Sequence, residues 1–403
     1  MPPHYSDALP WADALRRVIA NQGCAGVDGE SCAAWKRNGA AWLPRLRRQY
    51  AAGGYEPLPL RLALIRKPQP HGPAKQRPLL IAAVRDRIVQ TAWSLRLAPA
   101  WDAQASPASF AYRPGLGTPD ACRAVAAALR DGFHWVLDAD ISRFFDSIPH
   151  SLLQAAFAAW VPPSDYAAAR FLAQWLTAAT VWDGQTVRPL VRGIPQGSPL
   201  SPPISNRFLR PLDQALHRPP CRLVRYADDM VLMARTEREA EAAWEHLQAQ
   251  FADLQLVVNQ EKSRLTTLEE GFAFLGFEFR KVPGRKLLMW PRAKACRHIR
   301  QRVREVARSI PSNGQVGQVI QKLNPLLNGW CTYFRVGNSN RTFHKVDWAV
   351  RSELQLWLRR KHQCPWRTAK KRWGYPFLHD RCRLYRMVGK VSHLEGLRAH
   401  AAG

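Results

Sequence analysis

The sequence predicts an α+β body with antiparallel sheet, followed by an all-α, strongly basic domain. Three observations carry this prediction. Short runs with period-two alternation lie between helical apolar stripes throughout the first two thirds of the chain. Beyond residue 290 apolar residues recur only at helical spacing. The charge changes at nearly the same place: Arg280 to Gly403 holds 28 basic and 5 acidic residues, a net of +23, whereas the first 279 residues hold 31 and 26, a net of +5.

The elements follow in order. Trp11, Leu15, Val18 and Ile19 fall on one helical face, and Trp42, Leu43 and Leu46 on another, with a Gly23–Gly29 loop between them. Leu60, Leu62 and Leu64 alternate with Arg61 and Ala63, predicting a strand that leads into a basic loop carrying Arg66, Lys67, Lys75 and Arg77. Val84, Ile88, Val89 and Ala92 mark a helix, and residues 120–131 form an Ala-rich one. His134–Ile141 reads as a strand, Ser151–Trp160 as a helix and Thr186–Gly193 as a further strand, followed by a helix through Asn206, Leu209 and Leu212. Arg222–Arg235 is a hairpin pattern with Ala-Asp-Asp at its centre. Thr236 and Glu239 make a capping box that opens a helix to about Phe251. Leu254–Val258 reads as a strand and Phe272–Phe279 as a hairpin broken at Gly276. The boundary to the helical region falls near residue 285.

Composition narrows the function classes. A chain of 403 residues, 46% hydrophobic and with 16 Trp, is not disordered and has room for two or three domains. No apolar run approaches about 18 residues, which excludes a membrane-spanning helix on pattern. Met1–Pro10 includes His4 and Asp7 and lacks the apolar core of a secretory signal. The eight cysteines are scattered without a CxxC pair, which argues against a zinc ribbon or disulfide scaffold and for a reducing, cytoplasmic setting. A formal charge of +28 calls for a polyanionic partner. A GC-rich genome would favour Arg over Lys, but it does not explain the loss of acids after residue 280.

Asp228 and Asp229 sit at a hairpin tip between apolar runs, where adjacent carboxylates are costly unless neutralised. A hard divalent cation, which prefers oxygen ligands, would neutralise them. Asp140, at the end of its strand, is the candidate third carboxylate; Asp138, on the same face at period two, is its competitor. Three carboxylates holding two Mg²⁺ would suit in-line attack on a phosphate. The plain alternative is a polar turn.

In the basic region Ile299, Val303, Val306 and Ile310 form one helical stripe, and Arg297, Arg300, Arg304 and Arg308 another that can track phosphates. Solvated faces usually mix signs, yet Glu305 is the one acid here. Trp348, Leu354 and Trp357 are interleaved with Arg351, Arg359, Arg360 and Lys361. Trp366, Trp373 and Tyr375 are interleaved with Arg367, Lys370, Lys371 and Arg372. Aromatics among bases can stack on unpaired nucleobases, although most of these tryptophans are expected in the core.

Several boxes together resemble a family. Tyr226-Ala227-Asp228-Asp229 is similar to the catalytic box of reverse transcriptases, Asp140-Ile141-Ser142-Arg143-Phe144-Phe145-Asp146 to their first metal-binding box, and Ile194-Pro195-Gln196-Gly197-Ser198-Pro199 to their nucleotide and template box. Ala25–Gly29, Arg77-Pro78-Leu79, Arg85–Gln90, Ser109–Gly115, Gly271–Phe279 and Leu323–Trp330 resemble, in the same order, further segments of group II intron-encoded reverse transcriptase/maturases. The resemblance spans roughly residues 24–395. It implies a right-hand polymerase with an N-terminal extension over 1–50, fingers and palm over 51–285, a thumb/maturase domain over 286–362 and a basic extension over 363–403. It assigns the metals to Asp140, Asp228 and Asp229, with help from the Ile141 carbonyl, and the sugar gate to Phe145. Arg77, Lys67 and Lys75 would hold the triphosphate. Gln196 and Gly197 would approach nucleotide and template, and Lys262 would protonate pyrophosphate.

The implied partners are an intron RNA or RNA template, a DNA primer and dNTPs, with two Mg²⁺ as cofactor and no membrane. A dimer stays open. Cys364, Cys382 and the late histidines lack ligand spacing, so no DNA endonuclease is expected. Two rivals keep the same boxes: a free-standing enzyme of phage defence or CRISPR adaptation, and a decayed scaffold that binds RNA without catalysis.

Overall fold

The computed structural model describes residues 9–67, 75–177, 179–283 and 287–392. The chain begins with α1 (Trp11–Ala20), α2 (Cys32–Ala51), β1 (Leu60–Lys67), β2 (Lys75–Ile81), α3 (Val84–Asp102) and α4 (Thr118–Arg130). It continues through β3 (Trp135–Asp140), α5 (Phe144–Ser147), α6 (His150–Trp160), α7 (Tyr166–Thr177), β4 (Thr180–Trp182), β5 (Val187–Pro189), α8 (Ser201–Phe208) and α9 (Arg210–Leu216). Then come β6 (Arg222–Tyr226), β7 (Asp229–Ala234), α10 (Glu237–Asp253), β8 (Arg264–Thr267), β9 (Phe272–Phe274), β10 (Phe277–Lys281) and β11 (Leu287–Pro291). Helices α11 (Ala293–Arg308), α12 (Val316–Phe334), α13 (Asn340–His362) and α14 (Trp366–Arg372) follow, closed by a π-turn over Pro376–Arg381. No helix of the described residues is long and apolar enough to cross a membrane.

Among the described residues three sheets organise the body. One has the order β2-β1-β4-β5, one β6-β7-β3-β8 and one β11-β10-β9. In the second sheet β3 and β7 are central, which is why Val136, Leu137, Val231, Leu232 and Met233 are all buried. Every pairing in it is antiparallel, and the β3–β7 register sets Asp140 opposite Asp229. One face of this sheet packs on α3 and α6–α10; the other packs on α4, β9–β11 and the terminal helices, in a second continuous core.

Local chemistry explains most elements. Ser31 accepts from the Ala34 amide at 3.1 Å and caps α2, and Thr236 with Glu239 closes the expected box on α10. Leu275 and Gly276 both adopt positive φ, the two-residue hairpin turn between β9 and β10.

Four expectations change. Lys67, Lys75 and Arg77 belong to the β1–β2 hairpin, paired in register, and not to a loop. The helix through Asn206–Leu212 is two short helices, because Pro211 lacks the amide that would continue α8. Leu254–Val258 is not a strand: the chain bends at Gln255 (φ 52°) and Val258 makes an isolated bridge to Ile141, just past the end of β3. The edge strand is β8 instead. Finally, β11 pairs with β10 as far as Pro291, so the helices begin at Ala293.

Within the helical region α11 and α13 lie side by side and run parallel. Arg304 pairs with Glu353 at 3.5 Å, and the Trp357 indole donates to Ile310 O at 2.9 Å. Of the predicted stripe, Ile299 and Val303 are buried and Val306 and Ile310 are partly buried against the same core, with Ala307 completing the inward face.

Candidate active site

The turn between β6 and β7 carries the paired carboxylates. Ala227 sits in the left-handed region (φ 59°), which folds the strand back in two residues and leaves Asp228 in the bend. Asp229 opens β7 and is register partner to Tyr226 on one side and Asp140 on the other. Directly opposed antiparallel residues have Cα atoms roughly 4.5–5.5 Å apart. The three aspartates flagged by the sequence therefore share one end of the sheet.

Burial raises the Asp228 pKa, and the Asp140 charge adds to the effect while Lys262 and Arg77 oppose it. Asp138 lies two residues back on β3, opposite Arg264; burial pushes it up to about 6 against the pull of Arg264, with Asp229 and Asp140 adding. Asp140 is held from the α10–β8 loop. Its Oδ2 accepts from Lys262 Nζ at 2.7 Å and Asn259 Nδ2 at 3.0 Å. Its carbonyl accepts from the Asn259 amide at 2.9 Å, and its amide donates to Ser263 Oγ at 3.2 Å. The bend that replaces the expected strand is what brings Asn259 and Lys262 to this carboxylate.

Among the described residues no three such groups gather about a single point; the Lys262 ammonium stands where a cation beside Asp140 would stand. The donor set nonetheless suits a hard cation: mutually repelling carboxylates, Asp140 and Asp228 half-buried and Asp229 exposed, beside a positive charge already recruited to one of them.

A cavity of about 650 Å³ opens next to this end of the sheet, lined by Arg77, Leu79, Tyr112, Phe145, Gln196 and Gly197 among others. Phe144 is core, whereas Phe145, edge-on to it at 5.5 Å, lines the cavity. Arg77 Nε donates to Gln196 Oε1 at 2.9 Å, and Gln196 Nε2 donates to Asp146 Oδ1 at 2.7 Å. A relay thus runs from the β1–β2 hairpin across the cavity to α5. The Gln196 carbonyl accepts from the Leu80 amide at 3.1 Å. Gly197 has φ 119°, and a Cβ there would lie 3.0 Å from the Leu80 carbonyl, so only glycine fits without displacement. Tyr112, also at positive φ (60°), lies within electrostatic reach of Asp228 and Arg77. The side chains of Lys67 and Lys75 lie outside the described residues.

Sequence reasoning missed Arg225. Its side chain is 1% exposed and reaches the carbonyl of the turn residue Ala227. It pairs with Asp213 through Nε (2.5 Å) and Nη2 (2.6 Å), and donates to Ser109 Oγ (2.9 Å), Asn206 Oδ1 (3.2 Å) and the Ala227 carbonyl (3.0 Å). The strand alternation was the available signal: Arg225 shares the inward face of β6 with Leu223, a position that demands a buried acid elsewhere.

The basic residues divide. Arg297, Arg304 and Arg308 are exposed on α11 and Arg300 is half-buried; Arg359, Arg360, Lys370, Lys371 and Arg372 are exposed further on. Lys361 is turned inward, its ammonium donating to the carbonyls of Ser312, Asn313 and Gly314, at 2.7 Å to the last.

Residues 65–279, just over half the chain, match the model of the reverse transcriptase (RNA-dependent DNA polymerase) family. The chain belongs to this family. Residues 296–374 match the maturase-specific domain of group II introns, so this reverse transcriptase carries a maturase domain behind its polymerase body. Protein YkfC of Escherichia coli is 32% identical over 66% of this chain and 78% of its own length. The group II intron-encoded protein LtrA of Lactococcus lactis is 27% identical over 40% of this chain and 26% of its own. Among solved structures, a telomerase of Candida albicans superposes with a TM-score of 0.46 at 12% identity, covering 85% of this chain and 65% of that one. The family match bears out the right-hand polymerase fold class expected from the sequence, and the enzyme class is RNA-directed DNA polymerase.

Proposed function

We propose that this reverse transcriptase extends a DNA 3′ end on an RNA template, consuming dNTPs, with two Mg²⁺ held by Asp140, Asp228 and Asp229. The observation that carries this reading is the register pairing of Asp140 with Asp229, with Asp228 in the adjoining turn. When bound, the ions supply Lewis acidity to the attacking hydroxyl and neutralise the departing pyrophosphate. The chain's own residues do the rest. Arg77, exposed at the cavity mouth and steered by Gln196, receives the triphosphate. The Phe145 ring forms the cavity wall against which a sugar stacks and a 2′-hydroxyl clashes. Lys262, whose ammonium donates to Asp140 at 2.7 Å, is the group that would donate a proton to pyrophosphate. Lys67 and Lys75, register partners on the same hairpin as Arg77, share the triphosphate-holding role in this proposal.

The basic helical region binds the parent intron RNA and assists its splicing, supplying charge and shape while the RNA performs the chemistry. Arg297, Arg300, Arg304 and Arg308, with Arg359, Arg360, Lys370, Lys371 and Arg372, carry phosphate contacts; Lys361 serves the fold. This reading places the protein in the cytoplasm with its RNA. Primer extension on an RNA template with Mg²⁺ tests the proposal: Asp228→Ala abolishes extension and leaves RNA binding unchanged. Equal extension by wild type and Asp228→Ala refutes it.

A further inference from the structure

Of the sixteen tryptophans, Trp348 alone is left exposed, at 63%. It lies on α13, and among the described residues its ring stacks on no other ring. Bases surround it. His344 and Lys345 lie one turn before it, both exposed, and Arg351 one turn after. The parallel register of α11 and α13, with Arg304 paired with Glu353 and the Trp357 indole on Ile310 O, sets Trp348 about level with Arg300 along the helix pair. The nearby acids are spent: Asp347 is buried and accepts the amides of Met387 and Val388, and Glu353 answers Arg304.

An indole exposed in such surroundings has one well-matched partner. A protein surface or a second copy would want an apolar rim, but this rim is cationic. A duplex offers phosphates yet keeps its bases stacked inside. A single strand offers both phosphates for the bases and a free aromatic face for the indole. We propose that Trp348 is a stacking platform for one unpaired base of an RNA strand whose phosphates follow the bases of α11 and α13. The proposal deepens the reading of the helical region as RNA-binding and rests on it.

The test measures fluorescence anisotropy of the full-length protein with three probes: a single-stranded oligoribonucleotide, an abasic strand of equal length, and a blunt RNA duplex. Trp348→Ala weakens binding of the base-bearing strand by roughly 5- to 150-fold, the range expected for one lost stack. Trp348→Phe retains most of the affinity and Trp348→Leu does not, while the abasic strand and the duplex bind all variants alike. Trp348 is exposed, so the variants melt with the wild type. Equal loss on all three probes, or no loss on any, overturns the proposal. So does a light-scattering mass that falls from dimer to monomer on Trp348→Ala, which would make the indole a self-association contact. Failure of the wild type to bind any probe refutes the RNA-binding reading itself.

Discussion

Arg225→Met removes a guanidinium sealed from water while keeping most of its aliphatic volume. Its loss leaves the Asp213 carboxylate, 1% exposed, without the cation that holds both its oxygens. Removing one partner of a buried pair costs about 3–5 kcal/mol, because the remaining charge is trapped in a medium that does not solvate it. The double variant Arg225→Met with Asp213→Leu trades the pair for apolar contacts and recovers most of that loss. Urea titration of the four members of the cycle therefore yields a coupling of about 2–4 kcal/mol. Stability and rate part company in the double variant. The Ala227 carbonyl, which Arg225 held at 3.0 Å, is released, and Ala227 is the left-handed residue that presents Asp228. A hydrogen bond to a charged group contributes about 1.5–3 kcal/mol, so extension at saturating dNTP falls roughly 10- to 100-fold even where folding is restored. A single variant within about 1 kcal/mol of wild type refutes the buried-pair argument. Wild-type extension by the double variant refutes the turn-holding argument.

Further outcomes follow from the same site. Phe145→Ala opens the cavity wall and raises ribonucleotide incorporation relative to deoxynucleotide; an unchanged ratio assigns Phe145 to packing alone. Gly197→Ala places a Cβ 3.0 Å from the Leu80 carbonyl at φ 119° and costs more than about 1 kcal/mol, with a raised KM for dNTP; a melting curve equal to wild type contradicts it. Asp86 is buried beneath Tyr55 and Leu58, and burial lifts its pKa from 3.8 to about 6. A carboxyl whose folded pKa is raised stabilises most below its unfolded value and loses that contribution as pH rises through about 6. Asp86→Asn therefore flattens the stability decline between pH 4 and 6, worth roughly 3 kcal/mol in the wild type; an unchanged slope excludes Asp86 as its source.

What the sequence made legible was whatever depended on local pattern. The Asp140 and Asp228–Asp229 positions, the β6–β7 hairpin and the α10 cap all follow from alternation or capping chemistry within a dozen residues. Phe144 and Phe145 could not be separated by pattern, because adjacent residues face opposite ways and only the tertiary fold says which way is inward. Lys361 looked like a phosphate ligand because its neighbours are basic, but the loop that consumes its ammonium lies some fifty positions earlier. Arg225 and Asp213 escaped for a related reason: a buried ion pair is a statement about two elements at once. The Leu254–Val258 strand failed because apolar alternation does not record that Asn259 and Lys262 must curl round Asp140.

The core beneath α4 and β7 is also the core of α11–α14: Val231, Met233, Phe272 and Phe277 share it with Ile299, Leu323 and Val350. Across the junction the Asn338 amide donates to the Met289 carbonyl at 2.6 Å, and the Met289 amide donates to the Asn338 side-chain Oδ1 at 3.1 Å. A border between two tasks is thus not a border between two folding units. Scissors applied between polymerase and maturase would cut through one interior, leaving each fragment with a wet wound. Whatever lineage such a chain enters, it inherits the two capacities as a single piece of matter.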